Sequence, residues 1–218
     1  MQDKKVRFIV FEGIDGSGKT SQIARLANYI RGKDKYRDVL LTREPTWRAS
    51  ELRTRLSSDG DAFSDGEKMA RLFVQDRKMH YERQIAPALE QKAYVLCDRY
   101  ALSTCAYQAT QGVPLETLLA LHEEAGIRRP DMTFFIDVSR DIAEARMVKR
   151  GEAKEKFENN AEFREKLIEM YRTLIDRSIR EDRLQNVIGP VALIDGNDTI
   201  NAVEAKIKTL YDFVYAIS

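Results

Sequence analysis

Gly13-Ile14-Asp15-Gly16-Ser17-Gly18-Lys19-Thr20 is a complete P-loop pattern. It follows an apolar run over residues 6–11 that reads as a buried strand, and it opens a helix that ends near Arg31-Gly32. Glycines let the backbone curl so that the successive N–H groups of Gly13, Ile14, Asp15, Gly16, Ser17 and Gly18 point inward at phosphate oxygens. The helix N-terminus adds positive partial charge at the same place. In such a loop Lys19 reaches the β- and γ-phosphates of ATP, and the Thr20 hydroxyl binds Mg²⁺. A plain glycine turn in front of a helix is the alternative.

Working outward, four more apolar runs read as buried parallel strands, at residues 39–42, 94–97, 133–138 and 191–194. Helical patterns separate them. One begins near Ser64-Asp65, with Glu67 spaced for a capping box. Another follows Val113-Pro114, and others fill residues 140–150, 161–183 and 199–216. Strand alternating with helix implies a doubly wound α/β domain of P-loop NTPase type. It has a five-stranded parallel sheet flanked by helices, with ligands at the carboxyl ends of the strands. The polar segment 151–160, between two helices, reads as a short mobile lid or as a plain surface loop. Asp98 ends the third strand and is followed by Arg99. A carboxylate there would hold Mg²⁺ through water, and the arginine would grip a second phosphate.

The bulk properties narrow the setting. The chain has 218 residues, enough for one domain over residues 1–218. With 36 Lys and Arg against 35 Asp and Glu, the net charge of +1 gives no global argument for nucleic-acid or membrane partners. Cys97 and Cys105 match no metal or redox spacing, and both lie in segments that read as buried. The first residues show no apolar leader, so a cytoplasmic location is the default expectation.

Further motifs fall in a recognisable order. They are the acidic residue inside the glycine loop, Thr42-Arg43-Glu44-Pro45, Leu72-Phe73-Val74-Gln75-Asp76-Arg77, and Asp98-Arg99-Tyr100 with Ser103-Thr104 and Ala106-Tyr107-Gln108. Arg129-Pro130-Asp131 completes the series. Across nearly its whole length the chain resembles the thymidylate kinase family. That resemblance implies transfer of the ATP γ-phosphate to dTMP, with Mg²⁺ as cofactor and a homodimer as the assembly.

The resemblance also assigns roles. Phe73 and Arg77, four apart on one helix face, would stack on the thymine and bond a base carbonyl. Thr104 would meet the base edge. Tyr107 would pack where a ribose 2′-OH would lie, Asp15 would hold the 3′-OH, and Arg99, with Arg43 as a weaker candidate, would bind the acceptor phosphate. The peptide before Pro45 would be cis. Arg150 would lie near the donor adenine, opposite Asp195-Gly196-Asn197.

Where some members of the family carry a basic residue in the P-loop, this chain has Gly16. The transfer-site cation would then come from the lid, with Lys156 chosen over Lys154. A second departure is Thr46-Trp47 in place of the family's glycine pair, which puts Trp47 in position to reshape the acceptor site. Phosphoryl transfer to a phosphate needs no side-chain nucleophile, so His80 and His122 read as ordinary helix residues. Two alternatives stay open: a kinase of another deoxynucleotide or deoxynucleoside, and a nucleotide-binding regulatory protein with weak turnover.

Overall fold

In the computed structural model, residues 6–57, 65–150 and 161–217 are described. Five parallel strands form one sheet in the order β2-β3-β1-β4-β5. They are β1 (Phe8–Glu12), β2 (Val39–Arg43), β3 (Tyr94–Asp98), β4 (Met132–Asp137) and β5 (Val191–Asp195). These lie within one or two residues of the expected runs. Each continues past its apolar stretch onto a charged residue at the carboxyl end.

The continuous apolar strands are explained by cover on both faces. Ile9, Phe11, Leu96, Phe134 and Ile136 pack against α1 (Lys19–Lys33) and α10 (Ile200–Ile217), through Ile23, Leu26, Ile30, Val203 and Ile207. Their neighbours Phe8, Val10, Val95, Cys97 and Phe135 point the other way, as strand geometry requires. They meet α5 (Ala101–Thr110), α6 (Leu115–Ala125), α8 (Ala161–Ser178) and α9 (Asp182–Ile188). Both cysteines are buried and free in this second core.

Helix α3 (Gly66–His80) starts one residue later than the capping-box pattern implies. Its cap is Asp65, whose side chain accepts from the Lys68 N–H; Ser64 lies outside the described residues. After His80 the chain widens into a π-helical turn, Tyr81–Ile85, before the short α4 (Ala86–Glu90). The cause is Pro87, which has no N–H to continue the regular ladder; the Ala86 N–H bonds back five residues to Tyr81 instead.

The expected helix over 161–183 is two helices. The chain turns at Ile179 and Arg180, where the Ser178 hydroxyl bonds back to the Ile175 carbonyl and Arg177 forks onto Glu181. Helix α2 (Ser50–Ser57) has no counterpart in the sequence reading. Its inward-facing apolar side chains are Leu52 and Leu56, too few to set a period. Helix α7 (Arg140–Arg150) follows β4 as expected.

Asp131 explains why the Arg-Pro-Asp motif precedes β4. One carboxylate oxygen accepts the backbone N–H groups of Arg7 (3.0 Å) and Phe8 (2.9 Å), and the other accepts from Arg128 at 2.6 Å. It therefore ties the start of the central strand to the start of β4. Asp131→Ala is expected to lower the unfolding free energy in urea by about 1–3 kcal/mol, the cost of leaving such donors without a partner. Asp131→Asn should recover part of this, because an amide oxygen still accepts from the backbone.

Candidate active site

The glycine loop lies at the carboxyl end of β1, beside that of β3. Gly13 and Gly16 hold φ values of 140° and 81°. A Cβ at Gly13 would come within 2.7 Å of the Ile136 carbonyl oxygen, and one at Gly16 would run into the Ala143 carbonyl of α7. Only glycine lets the loop lie flat against β4 and α7. A basic side chain at Gly16 is excluded for the same reason. Lys19 is 6% exposed and curls over the loop, its Nζ donating to the Gly13 and Ile14 carbonyls at 2.9 and 3.0 Å. The Ser17 hydroxyl is buried with no hydrogen-bond partner.

Thr20 donates to Asp98 Oδ2 across 3.5 Å, while Asp98 Oδ1 is buried and has no partner. A hydroxyl beside a half-satisfied carboxylate suits Mg²⁺, which takes one or two protein oxygens and fills its shell with phosphate and water.

Glu12, fully buried at the end of β1, caps α5 from outside that helix. It accepts from the N–H groups of Tyr100 (2.8 Å) and Ser103 (3.1 Å) and from the Ser103 hydroxyl (2.5 Å). Burial pushes its carboxyl above the ordinary range despite these bonds. The cap helps hold Arg99, the residue before Tyr100, at a left-handed φ of 67°, a conformation that costs about 1–2 kcal/mol for a residue with a side chain. So held, Arg99 sends its guanidinium to Asp15 at 2.5 Å and to the Ser103 hydroxyl at 3.2 Å. Burial works against ionisation of Asp15, but the Arg99 and Lys19 charges outweigh it and keep its carboxyl below the usual range.

Next to Arg99 opens a small pocket with a cavity volume of about 50 Å³. Phe73, Arg99, Thr104, Tyr107 and Gln108 line it, with Arg77 behind. Arg77 is 1% exposed. Its Nε donates to Glu44 at 2.8 Å, Nη2 lies 2.7 Å from Glu44 and donates to the Thr104 hydroxyl at 3.0 Å, and Nη1 donates to His122 Nε2 at 2.7 Å. Its ring-facing side covers Tyr100 at 4.8 Å.

The other Glu44 oxygen accepts from His80 Nδ1 at 3.0 Å, and His80 Nε2 lies 2.7 Å from the Thr42 hydroxyl. Asp76 accepts from the Thr46 N–H and hydroxyl at 2.7 and 2.5 Å. Gln108 stands in a quoted motif but received no role from the sequence. It is fully buried, lines the pocket, and neither atom of its amide has a partner. Its place in the Ala106-Tyr107-Gln108 motif was the signal, although no role was assigned to it.

The structure therefore brings Asp15, Lys19, Thr20, Asp98 and Arg99 together at one strand end, with Phe73, Arg77, Thr104 and Tyr107 in the adjoining pocket. The Arg99 guanidinium lies 5.3 Å from the Tyr107 ring. Arg43 ends β2 in register with Asp98, but it is exposed and does not line the pocket. The Glu44–Pro45 peptide is cis.

Two expectations need correction. Trp47 is 71% exposed beneath Arg48 and does not line the pocket. His80 and His122 belong to the network that holds Arg77, so they are not ordinary helix positions. On the donor side Arg146 bonds to the carbonyls of Gly196 and Asp198 at 2.9 and 3.1 Å, bracing the loop after β5. The Arg150 side chain and the segment 151–160, with Lys154 and Lys156, lie outside the described residues. A wider depression bordered by Arg31, Lys35 and Gln91 sits at the amino-terminal edge of the sheet, away from the glycine loop.

A nucleotide cradle at the end of β1, joined by the Asp15–Arg99 ion pair to a second pocket that Arg99 lines, defines a P-loop phosphotransferase with a small acceptor. The particular family follows from similarity. The Thymidylate kinase family model matches residues 11–188. A thymidylate kinase of Wolbachia pipientis is 36% identical over 201 residues, covering 90% of this chain and 93% of that one. A probable thymidylate kinase of Thermococcus onnurineus is 36% identical over 208 residues, covering 92% and 98%. A crystal structure of thymidylate kinase from Ehrlichia chaffeensis superposes with a TM-score of 0.71 at 28% identity, covering 94% and 97%. The chain belongs to the thymidylate kinase family. Among the described residues no helix is long and apolar enough to cross a membrane.

The buried network gives stability a pH dependence. Burial first, and then the Arg77 charge, push the His122 imidazole down to about 3 from the ordinary 6.5. Between those values the unfolded chain takes up a proton that the folded chain refuses. This contribution is complete above about pH 6.5 and is lost as the pH falls. Between about pH 7.5 and 5.5 it should remove roughly 1.4 kcal/mol from the unfolding free energy. Urea titrations at the two values test this, and His122→Gln should flatten that part of the profile.

Proposed function

We propose that this protein transfers the γ-phosphate of ATP to dTMP, giving dTDP and ADP. The observation that carries it is the buried pocket beside the glycine loop. There an aromatic face, the unpartnered Gln108 amide and the Arg77–Thr104 pair surround space for a base, and Arg99 stands between that space and the P-loop. Phe73 stacks on the base, Gln108 and Arg77 bond its polar edge, and Tyr107 packs against the sugar. Asp15, kept ionised, accepts from the 3′-OH while it steadies Arg99.

The P-loop N–H groups and Lys19 hold the donor phosphates. Thr20 and Asp98 would hold Mg²⁺, which when bound would supply positive charge to neutralise the phosphate oxygens. Arg99 aligns the acceptor phosphate, whose attacking oxygen is already anionic, so the chain need supply no strong base. Lys156 over the transferred group and Arg150 near the adenine belong to the same proposal, as do a homodimer and a cytoplasmic location. All but the location follow from the family resemblance.

Release of ADP with MgATP, measured for dTMP, dUMP, ribo-TMP, dCMP, dGMP, dAMP and thymidine, tests the assignment. Turnover with dTMP and none with thymidine is the expected pattern. dUMP should be weaker by about 10- to 200-fold, the usual value of one methyl in an apolar pocket. ATP binding without any turnover would instead favour a regulatory nucleotide-binding protein.

Lys19→Ala should cut dTDP formation by about 100- to 1,000-fold, as removal of a preorganised charge-stabilising donor does; near-normal rates would end the mechanism. Tyr107→Ala should narrow the preference for dTMP over ribo-TMP, and an unchanged ratio would remove Tyr107 from sugar selection.

A further inference from the structure

The transfer chemistry gives His122 no part, yet it is buried on α6 against the guanidinium that faces the base pocket. Its Nδ1 lies 2.7 Å from the Leu118 carbonyl oxygen and its Nε2 lies 2.7 Å from Arg77 Nη1. A carbonyl only accepts and a guanidinium only donates, so one tautomer satisfies both: Nδ1 carries the hydrogen and Nε2 accepts.

An arginine has five N–H bonds. For Arg77, Nε–H goes to Glu44, the two Nη2 hydrogens go to Glu44 and Thr104, and one Nη1 hydrogen goes to His122. One Nη1 hydrogen is left on a side chain that lines the base pocket. We propose that His122 is a positioning residue for acceptor choice: by taking one Nη1 hydrogen it fixes the fork of Arg77, so that the other hydrogen meets a ring carbonyl and opposes a ring amino group.

This deepens the assignment of dTMP as acceptor and rests on it. A cytosine base presents an amino group where thymine presents a carbonyl, and donor against donor in a dry pocket is strongly disfavoured. The depressed basicity of His122 keeps it the neutral acceptor at neutral pH. Protonated, it would turn an N–H toward the guanidinium.

Arg77 and His122 also border a second cavity, lined by Tyr100, Gly126 and Arg128. Cutting residue 122 back to a small side chain would let water in from that cavity to replace the lost acceptor. The informative change keeps the volume and removes the acceptor, as in His122→Leu. His122→Gln returns an amide oxygen near the place of Nε2.

Steady-state kinetics of the full chain, with dTMP, dCMP and ATP varied in turn, test the proposal. For His122→Leu, KM for dTMP should rise about tenfold, the effect of one lost buried hydrogen bond. The dTMP-over-dCMP ratio of kcat/KM should fall by a similar factor, with kcat and KM for ATP within about threefold of wild type. His122→Gln should restore most of both. If His122→Leu does not fold, His122→Met, which also keeps the volume and offers only a weak thioether acceptor, should show the same loss.

The proposal is overturned if the ratio stays at the wild-type value in the folded variant, or if KM for ATP and dTMP rise together without change in base preference, as general damage would cause. A wild-type protein that forms no dTDP would instead overturn the acceptor assignment itself.

Discussion

The ion pair between Arg77 and Glu44 holds together parts of the chain that share no strand. Glu44 sits just beyond β2, Arg77 on α3, Thr104 on α5 and His122 on α6. Taking two charges out of water costs several kcal/mol per ion, and their attraction offsets this only when the remaining donors and acceptors are satisfied. Here they nearly all are: Glu44 is shared with His80, and Arg77 with Thr104 and His122. An apolar substitute of equal volume could stabilise the fold as well. It could not leave a single directed N–H at the edge of a pocket, and the charge pair is best understood as serving that end.

A second buried carboxylate does the corresponding work for the phosphates. Glu12 belongs to the strand that launches the glycine loop, yet it caps α5 and steadies the strained backbone of Arg99. Asp15, inside the loop, takes the other end of the same arginine. The glycine loop and Arg99 are thus braced against each other through Asp15. A shift of the loop moves Arg99 with it, which matters because in-line transfer depends on the spacing of two phosphates more than on any reactive side chain.

Much of this was legible in the sequence. The apolar runs reveal all five strands because a sheet covered on both faces needs no alternation. The loop pattern reveals the cradle because its glycines and Lys19 sit at fixed offsets. What stayed hidden depends on partners distant in sequence. His122 is an unremarkable helical residue until α6 is laid against α3, and Gln108 until its helix is seen to floor a pocket. Helix α2 has too few apolar positions to announce itself. The break at Ile179 and Arg180 interrupts a run whose periodicity continues on both sides.

The family's glycine pair after the Arg-Glu-Pro motif is replaced by Thr46-Trp47, a change that could in principle have blocked the acceptor site. Instead Thr46 places its N–H and hydroxyl on the two oxygens of Asp76, the neighbour of Arg77 on α3. The added hydroxyl thus strengthens the joint between the loop and the helix that carries the base-facing arginine. Trp47 is turned out to solvent with Arg48 over its ring. The bulk therefore falls outside the pocket and the new hydrogen bond falls behind it. The substitution gives no physical reason for lost turnover, and it braces the helix that carries Arg77, the group to which the proposal assigns acceptor choice.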